Sequence, residues 1–128
     1  AFAEVIQEAD VLSIHCPLSA HTEGLIDSTV LSAMKPEAIL INTSRGGIVT
    51  ERDLAEALRE GVIAGAAIDT LSVEPPPPDH VLLQPDIPNL IVTPHNAWAS
   101  RTARQAAMDQ VAKVITAFVA GFVINRVV

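Results

Sequence analysis

The chain has 128 residues, 49% hydrophobic, 18% charged and 3% aromatic, the make-up of a globular α/β protein with room for one hydrophobic core and not two. Fifteen acidic residues against eight scattered Lys and Arg leave a net charge of −7, which argues against a nucleic-acid partner, and no apolar run approaches the ~20 residues of a membrane span. Cys16 is the only cysteine, so no intrachain disulfide can form and a cytoplasmic location is expected.

The chain opens "AFAEVIQEADVLSIHCPL" with no methionine. Phe2, Val5 and Ile6 have helical spacing and feed a strand over residues 11–16 that Pro17 stops, so a piece of a longer protein is expected. Asp27 or Ser28 can cap a short helix with Val30, Leu31 and Met34 on one face, and Pro36 ends it. Residues 38–41 predict a second buried strand, whose polar continuation Asn42-Thr43-Ser44-Arg45-Gly46-Gly47 has backbone room at the strand end. Thr50 and Asp53 form an approximate capping box before Leu54, Ala57 and Leu58, and Gly61 stands where a helix C′ residue belongs.

Residues 62–68, "VIAGAAI", predict a third strand of small side chains ending at Asp69. The prolines at 75–78 predict a stiff extended loop. Residues 89–100, "NLIVTPHNAWAS", contain a fourth strand, Leu90-Ile91-Val92, closed by Pro94. Ser100 can then cap a helix of about five turns marked by Ala103, Ala107, Val111, Val114, Ile115 and Phe118 and stopped near Gly121, with residues 122–128 as an extended tail. Strand and helix alternating in this way, with near-continuous apolar strands, predict one doubly wound unit built on a parallel sheet covered on both faces.

Ligands of open α/β sheets bind beyond the carboxyl ends of the strands, and three charged groups stand beyond strands here: Arg45, Glu74 and His95. Arginine offers a bidentate fork to a substrate carboxylate, histidine can exchange a proton with a hydroxyl or carbonyl oxygen, and a carboxylate can hold the imidazolium. That set suits hydride transfer on a 2-hydroxy acid.

The segments "LINTSRGGIV", "AAIDTLSVEPPPP" and "NLIVTPHNAWAS", in this order and spacing, resemble the D-isomer-specific 2-hydroxyacid dehydrogenases over essentially the whole chain. "HNAWAS" is similar to the glycerate dehydrogenase and hydroxypyruvate reductase branch. The resemblance implies the second half of a doubly wound, Rossmann-type nucleotide-binding domain, with residues 1–128 forming a partial NAD(P)-binding domain that carries the catalytic residues. It implies Arg45 as substrate anchor, Glu74 as partner of His95, and His95 as the acid/base. It also implies that Asp69 meets the nicotinamide carboxamide of NAD or NADP, that Cys16, Pro17, Thr43 and Ala97 line the cofactor together with Arg45 and His95, and that Trp98 borders the substrate pocket. The partner would be a small 2-hydroxy or 2-keto acid, and the assembly a homodimer.

Several features depart from that pattern. The six glycines contain no G-x-G-x-x-G, so the phosphate cradle and the residue choosing between NAD and NADP are not in this chain, and neither is a substrate domain. Asn96 stands where an apolar residue is expected and Thr70 where Val is expected, which leaves the branch open. His15, His21 and His80 have no metal-ligand spacing. Cys16 after a buried strand reads as a packing residue, and a Ser44, His95 and Asp69 triad lacks a G-x-S-x-G elbow. A nicotinamide-binding corepressor-like protein and an inactive fragment are the competing readings.

Overall fold

The structure, a computed structural model, describes residues 1–126 and divides into two compact units, one running through His95 and the other beginning at Asn96. The first unit runs α1 (Phe2–Glu8), β1 (Val11–Ile14), α2 (Ser28–Ala33), β2 (Ile39–Asn42), α3 (Glu51–Arg59), β3 (Gly65–Ile68), a short 3-10 turn (Val81–Leu83) and β4 (Leu90–Val92). All three strand pairings are parallel and the order is β1-β2-β3-β4, with Ile14, Asn42, Ile68 and Val92 forming one row across the sheet. Parallel neighbours need crossovers, which is why a helix or a long loop separates each pair.

A single core joins α1 through Ile6, α2 through Leu31, α3 through Leu54 and Leu58, and the 3-10 turn through Leu82 to Ile14, Leu40, Ala66 and Ile68 of the sheet. Leu31, Leu40 and Leu54 are fully buried and each stabilises the fold by about 2 kcal/mol. One face of the sheet is therefore covered by the unit's own elements. On the other, Val11, Ile39 and Ile91 remain exposed, so the expected cover on both faces is met on one only among the described residues.

The local signals act mostly as the residue types dictate. Asp27 caps α2 by accepting the Val30 N–H at 2.9 Å. Gly61, at φ +68°, closes α3 in a Schellman motif: its N–H bonds Leu58 O and that of Val62 bonds Ala57 O. That second bond corrects the third strand, because Val62 completes the helix cap and the ladder starts only at Gly65. The first strand likewise ends at Ile14, since the Cys16 carbonyl accepts from Ser44 Oγ instead of a neighbouring strand. The capping box at Thr50 does not form: the Asp53 carboxylate accepts the Ser28 N–H at 2.8 Å, tying α3 to the first turn of α2.

In the second unit, α4 (Arg101–Val119) starts at Ser100, whose Oγ accepts the Ala103 N–H at 3.1 Å, and ends in a second Schellman motif at Gly121, φ +81°. Residues 122–126 form no regular element, and the last two positions of the expected tail lie outside the described residues.

Candidate active site

The row Ile14, Asn42, Ile68 and Val92 is the carboxyl edge of the sheet, and beyond it the chain continues into Cys16, Arg45, Asp69 and His95. Parallel pairing thus delivers residues remote in sequence to one side. His95 sits in the left-handed region at φ +51°, a conformation histidine tolerates better than most residues, and its N–H is held by Asp69 O at 2.9 Å and Thr93 O at 3.0 Å. Strain of this kind persists where surrounding bonds over-determine it.

The His95 ring meets Glu74, with Nδ1 2.7 Å from Oε2, while Glu74 Oε1 accepts the Leu71 N–H at 2.9 Å. The His95 hydrogen bond, and after it the Leu71 amide, hold the Glu74 carboxyl below the usual carboxylate range against a smaller opposing effect of burial. An ionised carboxylate can only accept, so Nδ1 carries the proton donated to Glu74. The two side chains are 40% and 37% exposed, which keeps the pair reachable and its attraction partly screened. They line a cavity of about 390 Å³ walled by Leu71, Pro76, Leu83 and Val92.

Arg45 rides on a loop built by Asn42. Only 1% exposed, Asn42 accepts the Ser44 N–H on its side-chain oxygen at 3.0 Å and donates from Nδ2 to Arg45 O at 2.9 Å. Ser44 Oγ donates to Cys16 O, joining this loop to the end of β1. Next to Arg45, Gly46 lies against the Leu71 carbonyl and the Ser72 nitrogen so closely that a Cβ would overlap both, so the Arg45 loop and the loop leading to Glu74 share a backbone contact that only glycine permits.

The structure gathers the expected residues into two groups. Cys16, Pro17, Thr43 and Arg45, with His15 and Ser44, line one cleft of about 380 Å³; Glu74 and His95 line the other cavity. Arg45 is exposed and its Nη1 donates to Ser44 O at 2.8 Å. Asp69 is 3% exposed and accepts from the Thr93 hydroxyl. Ala97 and Trp98 belong to the second unit, where Trp98 lines a hollow with Arg101, Arg104 and Met108. With Ser44 Oγ committed to Cys16 and the His95 Nδ1 to Glu74, the hydrolase triad is not assembled.

Residue types alone did not single out Asn42, Glu51, Ser72 or His80. Asn42 carries a signal, a polar residue ending an apolar strand. Glu51 carries none, because an acid in the first turn of a helix reads equally well as dipole compensation.

A parallel sheet with a carboxylate-paired histidine at its carboxyl edge is an α/β, Rossmann-type arrangement. The family model described as "D-isomer specific 2-hydroxyacid dehydrogenase, NAD binding domain" matches residues 1–97, and the chain belongs to that family. It is 47% identical over 117 residues to the glycerate dehydrogenase of Methylorubrum extorquens, covering 91% of this chain and 37% of that protein. It is 37% identical over 124 residues to the hydroxypyruvate reductase of Blautia hydrogenotrophica, covering 97% of this chain and 38% of the other. Among solved structures, an acyclic imino acid reductase in complex with NADPH and D-Arg is similar at a TM-score of 0.84 and 32% identity, covering all of this chain and 40% of its own. The chain thus spans well under half the length of these relatives.

Proposed function

We propose that the protein is an NAD(P)-dependent oxidoreductase interconverting a D-2-hydroxy acid and its 2-keto acid, with glycerate and hydroxypyruvate, or glyoxylate, as the substrate class. The observation that carries this reading is the 2.7 Å contact between His95 Nδ1 and Glu74 at the carboxyl edge of the sheet. In reduction, His95 Nε2 gives its proton to the keto oxygen while Glu74 stabilises the imidazolium through Nδ1; in oxidation the same nitrogen takes the hydroxyl proton. Arg45 binds the substrate carboxylate through its planar fork.

The fit to a nicotinamide cofactor rests on the donor set. Cys16, Pro17 and Thr43 line a cleft with Arg45, and the Asp69 carboxylate and neighbouring backbone carbonyls are acceptors of the kind a carboxamide NH₂ needs. The resemblance assigns Ala97 to the cofactor and Trp98 to the substrate. When bound, the nicotinamide supplies or accepts the hydride. The reading includes a homodimer, which rests on the resemblance, in the cytoplasm, which rests on the single thiol of Cys16.

The test is an absorbance assay at the nicotinamide band on the dehydrogenase carrying these residues, with D- and L-glycerate, hydroxypyruvate and glyoxylate against NAD(H) and NADP(H). Turnover of the D-acid and its keto partner is expected. Turnover of the L-acid alone, or of none of these, would contradict the reading.

A further inference from the structure

Apart from the pair at His95, the Glu51 carboxylate in the first unit gathers three donors. Glu51, the first residue of α3, accepts the Ser72 N–H on Oε1 at 2.7 Å and the Ser72 hydroxyl on Oε2 at 2.7 Å. The same Oε2 lies 3.1 Å from His80 Nε2. His80 Nδ1 accepts the Leu82 N–H at 3.3 Å, so its ring proton is on Nε2 and is donated to Glu51. The Glu51 and His80 side chains are only 15% and 7% exposed, a site where bonds to a charged acceptor are stronger than at the surface. The position at the start of α3 adds the favourable helix-terminal field for an anion.

What this cluster grips is the loop that carries Glu74. Ser72 follows Leu71, whose N–H is one of the two bonds held by Glu74, and the Leu71–Ser72 backbone is the surface against which Gly46, beside Arg45, is pressed. Two elements therefore converge on one dipeptide, α3 through Glu51 and the Arg45 loop through Gly46, while His80, just before the 3-10 turn, braces Glu51.

We infer that Glu51 is a positioning residue for the acid/base pair: by fixing Ser72 it aims the Leu71 amide at Glu74, and Glu74 at His95. The inference rests on the reading of His95 and Glu74 given above. Glu51 touches neither residue and acts only through the loop.

The test compares wild-type dehydrogenase with Glu51→Ala, Glu51→Gln and Glu74→Gln, reading amide hydrogen exchange at Leu71 together with kcat and KM. Glu51→Ala should speed exchange at Leu71 about tenfold while β2 amides stay protected, and lower kcat about tenfold with KM for the cofactor within about twofold. Glu51→Gln keeps an acceptor for the Ser72 N–H but turns its NH₂ toward the His80 Nε2–H, and should recover part of the loss. Unchanged exchange at Leu71 overturns the positioning role, and faster exchange with wild-type kcat overturns its link to the reaction. If Glu51→Ala does not fold, Ser72→Ala, which removes only the hydroxyl bond, decides by the same two criteria with smaller changes. Wild-type kcat in Glu74→Gln would overturn the acid/base reading itself, a result separate from the exchange measurement.

Discussion

Glu74 divides its carboxylate between two donors, His95 Nδ1 at 2.7 Å and the Leu71 N–H at 2.9 Å, so a single side chain both orients the imidazole and anchors its own loop. The division explains why the carboxyl stays ionised below its usual range: each bond is made to the charged form. One consequence follows for the pH dependence of the fold and one for the reaction.

Because the folded-state carboxyl titrates lower than the unfolded one, its pairing stabilises the fold at pH values above the ordinary carboxylate range and is lost as pH falls through the folded value. Glu74→Gln should therefore flatten the acid side of the Tm profile as pH falls below the ordinary Glu value of about 4.3. In the reaction, removing the carboxylate removes the acceptor that orients the His95 ring through Nδ1, so kcat for keto-acid reduction should fall in the same variant. An unchanged kcat would count against the pairing as a working part of the site.

Arg45→Lys should weaken keto-acid binding more than cofactor binding, because a compact ammonium cannot reproduce two parallel N–H bonds to a carboxylate. Separate KM measurements for the two ligands check it. Equal weakening of both would make Arg45 a structural residue of the cleft it lines with Cys16 and Thr43.

Gly46→Ala should destabilise the fold by about 3 kcal/mol, the upper end for overpacking, since the new methyl would meet the backbone of Leu71 and Ser72 and not a side chain that can swing aside. Denaturant midpoints measure it. Stability close to wild type would mean that the Arg45 loop can retreat from the Glu74 loop without cost.

Thr70 is 2% exposed and its Oγ1 has no hydrogen-bond partner among the described residues. Burying a hydroxyl without a partner is unfavourable, so Thr70→Val, nearly the same shape, should raise stability by about 1 kcal/mol. A loss of stability on that substitution would show that the hydroxyl is satisfied in solution.

The sequence made the frame legible where a residue type has one physical use. Gly61 and Gly121 end helices because the left-handed C′ position suits glycine, Asp27 and Ser100 cap because their side chains reach the orphan N–H groups, and apolar runs bounded by Pro17 and Pro94 mark strands. Boundaries slipped where backbone groups had other partners, as at Val62 and Cys16. The sequence set Arg45, Glu74 and His95 beyond strand ends, and the structure brings Glu74 and His95 together while Arg45 lines a separate cleft. The supports of that site were not legible: Asn42, Glu51 and His80 act through contacts between loops that spacing along the chain does not reveal, and Asp53, which looked like a cap for its own helix, serves α2 instead.

The most direct test of the account is His95→Ala in the full-length protein carrying these residues, with kcat for keto-acid reduction and cofactor affinity measured side by side. A proton donor acting in the transition state predicts a fall in kcat of about 10² or more with cofactor affinity nearly unchanged. A loss confined to KM, with kcat intact, would contradict the role assigned to His95.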